Sequence, residues 1–174
     1  MKTQHVILFD AENMVICGNK TRTLNRSAFN AFQHMWKCSL VFAFGTAYFW
    51  DKKKFLKDML QKQGVSIQET TMFQKDAADN DLINCIHKFC NDLLDISTCN
   101  NKRIHFTIVS SDIDLLAKAI VPYGNMHQFT WDIMWMENKV LGKRMNWVLD
   151  YKTIKIYTWT PRGVWFANCV RIHI

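Results

Sequence analysis

Along this chain the hydrophobic pattern switches repeatedly between short continuous apolar runs and stretches with helical spacing. This alternation restricts the folds open to it more than any other feature. Val6–Phe9, Leu40–Phe44 and Ile104–Val109 are runs of the kind that strands buried on both faces require. Val65–Thr70 reads as a further strand, and a weaker one is expected near Gln128–Trp131. Ser27 can cap a helix carrying Phe29, Phe32 and Trp36. Asp51 is expected to open a second helix, with Phe55, Leu56, Met59 and Leu60 on one side, lysines on the other, and Gly64 at its end. A third, from about Ala77 to Leu94, places Leu82, Ile83, Ile86, Phe89, Cys90, Leu93 and Leu94 in one stripe. Leu115–Val121 predicts a short fourth helix, stopped by Pro122 and Gly124. Strand and helix alternating with short connections is the signature of an α/β domain with a parallel sheet. Such sheets take their ligands beyond the C-terminal ends of the strands.

After about residue 132 the style of the sequence changes. A helix with Trp135, Leu141, Met145 and Val148 is expected, followed by a β-hairpin in which Tyr151–Thr160 and Val164–Ile174 flank the turn Thr160-Pro161-Arg162-Gly163. The sequence thus divides into a domain over residues 1–131 and an extension over 132–174 packed on or beside it. Charge follows the same division. Residues 139–174 hold seven of the 22 Lys and Arg but only one of the 15 acids, Asp150, and five of the seven tryptophans lie beyond residue 130. A near-neutral body with a basic, aromatic end suits a polyanionic partner, although a solvated surface over an aromatic mini-core has the same composition. Lys143, Arg144, Lys155, Trp159 and Arg162 are the candidate contacts there, since alternating aromatic and basic side chains can stack unpaired bases and neutralise phosphates.

Three acidic clusters occupy the strand-to-helix junctions: Asp10 with Glu12 and Asn13, Asp79 with Asp81, and Asp112 with Asp114. In a parallel sheet all three places lie on one edge. Asp79 precedes Leu82, Ile83, Ile86 and Cys90 by helical spacings, so it lines up with the buried stripe, whereas Asp81 points with Asn84, Lys88 and Asp92 to solvent. Capping accounts for Asp112 and helix-dipole stabilisation for Asp79. Neither accounts for Asp10, which closes a strand with no evident helix to cap. Carboxylates converging on one edge repel one another unless a cation sits among them. Oxygen-only ligands suit Mg²⁺ or Mn²⁺. Such ions support phosphodiester hydrolysis.

The segments FDAEN, KDAADNDLI and IVSSDIDLL, in that order, resemble the motifs of the NYN domain family, a branch of the PIN-like nucleases. The resemblance covers residues 5–120 and rests on a strand ending in D-x-x-N, a K-x-x-x-D pattern opening a helix, and a strand ending in S-x-D-x-D. It implies a Rossmann-like three-layer α/β/α fold with a central, mostly parallel sheet, and a metal-dependent ribonuclease, endonucleolytic in its expected action. By the same resemblance Asp10 is a metal ligand and Asn13 shapes the site. Asp79, Asp112 and Asp114 are further ligands, and Lys75 meets a phosphate or balances the acids. Ser111 stands where many relatives have glycine, Glu12 adds an acid, and the segment after 132 has no counterpart in the family's pattern.

Other signals are set aside. Cys85, His87, Cys90 and Cys99 lack the spacing of zinc modules and read as structural. No glycine-rich phosphate loop is present, and Ser110 and Ser111, without a nucleophile-elbow context, suit capping or support of a metal site. His5 and His105 are expected beside strand starts. The first residues read as a strand and not a signal peptide, and no run approaches the ~18 apolar residues of a membrane span. Six cysteines without disulfide-scaffold density fit a reducing, cytoplasmic setting. The expected partner is RNA, single-stranded or structured, with no membrane; the oligomeric state is left open, a homo-oligomer included. The alternative is a catalytically inactive RNA-binding adaptor that keeps a nuclease-like fold.

Overall fold

The computed structural model describes residues 2–13, 39–71, 76–95, 102–136 and 143–159. Six strands form one all-parallel sheet: β1 (Lys2–Asp10), β2 (Ser39–Thr46), β3 (Ser66–Thr70), β4 (Lys102–Val109), β5 (Phe129–Met136) and β6 (Ile154–Trp159). Their order across the sheet is β3-β2-β1-β4-β5-β6. The helices α1 (Ala47–Lys52), α2 (Lys54–Lys62), α3 (Ala77–Asp95) and α4 (Ile113–Ile120) lie between strands. A 3-10 helix, Lys143–Asp150, precedes β6. This is a three-layer, Rossmann-like α/β fold. The chain steps outward from β1 to β2 and β3, then returns to lay β4, β5 and β6 on the other side of β1. The reversal falls between β1 and β4, the place where doubly wound sheets open a crevice for ligands.

Two cores explain the layers. On one face, Val6, Leu8, Phe106 and Ile108 pack under Leu82 and Ile86 of α3 and Leu116 of α4. On the other, Ile7, Phe9, Val41 and Ala43 pack against Phe49, Trp50 and Leu60 of α1 and α2. Alternate residues of β1 therefore serve opposite layers, as strand geometry requires. Trp131, fully buried in β5, stacks on Phe106 of β4 with ring centroids 4.7 Å apart and 16° between planes.

Several expectations need correction. The second helix does not begin at Asp51. Thr46 caps α1, its Oγ1 accepting the Phe49 N–H at 3.2 Å, and the chain breaks at Lys53 before α2. Phe55 is not on the apolar side but 83% exposed, because it is turned about 100° from Leu56, which with Leu60 faces the sheet. Leu94 is exposed at the end of α3, beyond the stripe that holds Leu82, Ile83, Ile86 and Cys90. Trp135 belongs to β5 and not to a helix, so β5 runs across residue 131 into the expected extension. Residues Ile154–Trp159 form the expected strand, but it pairs in parallel with β5, Trp131 opposite Ile154. Its proposed hairpin partner, Val164–Ile174, and the Ser27 helix lie outside the described residues.

The segment before β6 is held by close contacts with the turn around Gly124 and with β5. Thr153 Oγ1 donates to the Gly124 carbonyl at 2.8 Å, and a Cβ placed on Gly124 would stand 2.6 Å from the Tyr151 ring. Gly124→Ala is therefore expected to destabilise the protein by about 1–3 kcal/mol, the usual cost of overpacking. Urea unfolding, read as a fall in midpoint at constant m-value, measures it.

Candidate active site

Asp10 ends β1 on one side of the reversal point, and Ser110 and Asp112 follow β4 on the other. Ser110, fully buried, joins the two sides. Its Oγ donates to Asp10 Oδ2 at 2.7 Å and accepts the Asp112 backbone N–H at 3.0 Å. Asp10 Oδ1 accepts the Asn13 N–H at 3.1 Å, and residues 11–13 are helical. Asp10 thus does cap a helical turn, contrary to the sequence reading. Capping alone still leaves a carboxylate buried with 4% exposure. That burial raises its pKa to about 7. The bonds from Ser110 and Asn13 work against the rise, and the neighbouring charges of Asp79 and Asp112 add to it.

Asp79 sits in the first turn of α3, in line with the buried stripe and half-buried, while Asp81, Asn84, Lys88 and Asp92 are exposed. This is the expected arrangement. Burial, then the charges of Asp112, Asp76 and Glu12, lift its carboxyl to about 6, with Lys118 as a partial counterweight. Asp112 caps α4, its Oδ1 accepting the N–H groups of Asp114 at 2.9 Å and Leu115 at 3.1 Å. Its Oδ2 has no hydrogen bond among the described residues. Asp114 is exposed in the first turn of α4, one step further from the crevice.

Two further acids belong to the group: Glu12, already grouped with Asp10 in the sequence, and Asp76, which was not singled out there. Glu12 Oε1 accepts the Thr46 N–H at 2.6 Å, tying the β1 edge to the start of α1. Asp76, left-handed at φ 63°, introduces α3 and adds to the field on Asp79. Asp76 has no spacing signal that identifies it, and the tether from Glu12 to Thr46 depends on a contact made only in the folded chain.

The remaining candidates divide. Lys75 and Arg162 lie outside the described residues. Lys143 and Arg144 start the 3-10 helix, and Trp159 ends β6. Lys155 is exposed, but it stands on β6, three strands and so about 14 Å from β1. Its register partner Asp132 is opposite Thr107, which is opposite Ile7, three residues short of Asp10. Tyr157 is half-buried and packs against the core cluster that holds Met134. His5 and His105 lie within β1 and β4; His105 bonds to Thr130 and Asp132, away from the acidic edge. Cys85 and Cys90 are free thiols that burial pushes up to about 11 and about 12, which suits a structural role.

The donors at the edge are all oxygen, the kind that Mg²⁺ and Mn²⁺ prefer. In charge they fit as well: among the described residues, Asp112, Asp76 and Glu12 act on Asp79 against Lys118. Among the described residues, no three His, Cys, Asp or Glu side chains stand close enough as placed to hold a metal ion. Asp10 is held at both oxygens and Asp112 at Oδ1, and Asp79 and Asp112 are half-buried. Among the described residues, no helix is long and apolar enough to cross a membrane. Comparison with known proteins finds no matching family model and no matching curated protein.

Proposed function

We infer that the chain is a metal-dependent ribonuclease of the PIN-like, NYN kind, cutting RNA internally in a reducing, cytoplasmic setting. The observation that carries this reading is the buried Asp10 carboxyl at the sheet's reversal point, bonded through Ser110 to the Asp112 loop, with its pKa raised first by burial and then by the charges of Asp79 and Asp112. Asp10, Asp79 and Asp112 would hold Mg²⁺ or Mn²⁺, with Asp114 acting through water. The ion would activate a water and stabilise the leaving oxygen of the phosphodiester.

The chain's own residues supply the rest. Ser110 and the Asn13 amide hold Asp10 rigid, so one ligand is in place before anything binds. Asp112 keeps Oδ1 on the first amides of α4 and offers Oδ2. Asp79, half-buried in the first turn of α3, would supply the remaining carboxylate.

Labelled RNA incubated with the protein should be cleaved in Mn²⁺ or Mg²⁺ and left intact in EDTA or by an Asp10→Asn/Asp112→Asn variant. Equal cleavage by wild type and variant would assign the activity elsewhere. Salt-sensitive RNA binding without cleavage in any divalent ion would favour an inactive adaptor instead.

A further inference from the structure

The two large hydrophobic side chains most exposed among the described residues, Phe55 at 83% and Tyr48 at 70%, stand on the same segment, α1 and α2. Single exposed apolar residues need no explanation. These two are both aromatic, and they sit in the most basic stretch of the described body. Positions 47–63 hold five lysines and two aspartates. Lys54 is paired with Asp51 at 3.0 Å and Lys57 with Glu69 at 2.6 Å. Lys52, Lys53 and Lys62 have no ion pair among the described residues, and the Lys52 ammonium lies 5.5 Å from the centre of the Tyr48 ring.

The segment is also joined to the acidic edge. Thr46, two residues before Tyr48, gives its N–H to Glu12, and its Oγ1 caps the helix on which Tyr48 stands. From there the helical run leads away from the edge. Tyr48, Lys52 and Phe55 follow one another at spacings of four and three, with the break at Lys53 between them. The two aromatics stand on successive helices on either side of that break, which suits two separate bases better than one base held between two rings. Exposed rings with cations between them match a strand of unpaired bases and phosphates, since bases stack on aromatic faces and lysines take the backbone charge.

We propose that Tyr48, Lys52, Lys53 and Phe55 form a stacking and phosphate-binding platform for single-stranded RNA, leading the strand to the carboxylates at the end of β1. The platform rests on the ribonuclease reading for the direction of the strand. The binding it provides can be measured without cleavage.

The test is fluorescence anisotropy with an unstructured RNA of about 15 nucleotides, in EDTA, using the whole chain. Tyr48→Ala/Phe55→Ala is expected to weaken binding at least about tenfold, and Tyr48→Trp/Phe55→Trp to keep it. Lys52→Gln/Lys53→Gln should lower the salt slope by about 1.4, at roughly 0.7 per phosphate contact on a single strand. In Mn²⁺, the alanine pair should raise KM for RNA and keep kcat, as loss of uniform binding does. Tyr48, Lys52 and Phe55 face water and Lys53 is half-buried at the helix break, so unchanged circular dichroism and melting should accompany each variant.

Unchanged affinity and an unchanged salt slope would overturn the platform and leave the ribonuclease reading standing. Binding with the expected losses but no cleavage in any divalent ion would sustain the platform and overturn the ribonuclease reading. Absence of single-stranded RNA binding by the wild type would overturn the platform. So would a self-association lost in Phe55→Ala while RNA affinity stays the same.

Discussion

Asp10→Asn should lower RNA cleavage by about three orders of magnitude while leaving the fold intact. Charge stabilisation by an active-site ion amounts to several kcal/mol, and each 1.36 kcal/mol is a factor of about ten in rate. Asn has the same shape as Asp and can still accept the Asn13 N–H, while Ser110 can turn its hydroxyl to accept from the new amide. What disappears is the negative charge. The loss should fall on kcat, because an interaction made with the reacting phosphate is strongest in the transition state. Single-turnover cleavage at saturating protein separates this from weakened binding. A kcat within about threefold of wild type would remove Asp10 from the catalytic set. Ser110→Ala supplies an intermediate case: it keeps the carboxylate but frees one of its oxygens, and losing such a supporting bond typically costs about 10–100-fold.

The parts of this site differ in how plainly the sequence displays them. Asp79 could be placed on the inward stripe of α3 because helical spacing from Leu82, Ile83 and Ile86 is a local property, and the structure keeps it. Asp112 as a cap was equally local. Glu12 was not legible as a tether, because its partner Thr46 lies 34 positions away and no pattern links the two. The same distinction governs the fold. Buried parallel strands announce themselves as apolar runs, but alternation in Ile154–Trp159 fits a hairpin as well as a parallel edge. What decides between them is pairing with β5, more than 20 residues earlier. Phe55 was misplaced for a different reason. Its neighbours Leu56, Met59 and Leu60 define a face, and a residue at the margin of that face falls in or out according to where the helix breaks. Lys53 breaks it where no proline or glycine marks the position.

The metal-free protein should lose stability as pH rises from about 4 to above 7, and Mg²⁺ or Mn²⁺ should restore it. In the folded chain the Asp10 and Asp79 carboxyls are raised to about 7 and about 6, from 3.8 for the ordinary side chain. Between those values the folded state holds protons that the unfolded state has released. Their stabilisation is complete below about pH 4 and is lost as pH climbs through 6 and then 7. Each pKa unit corresponds to about 1.4 kcal/mol, so buried Asp10 alone contributes a change of a few kcal/mol; Asp79, half in solvent, contributes less. Other carboxylates titrate in the opposite sense at lower pH, so the decline is clearest above about pH 5. A divalent ion binding only the folded state at about 100 times its Kd adds about 2.7 kcal/mol. In a chain of this length that raises the Tm by about 5–10 °C. Asp10→Asn, lacking the titrating group, should show a flatter pH profile, a higher Tm than wild type at about pH 8 in EDTA, and a much smaller response to Mn²⁺. Sodium chloride at matched ionic strength distinguishes screening from coordination, because screening acts on wild type without ion specificity. Equal stabilisation by Mn²⁺ and by matched sodium chloride would mean that the acids at the end of β1 repel one another without forming a metal site.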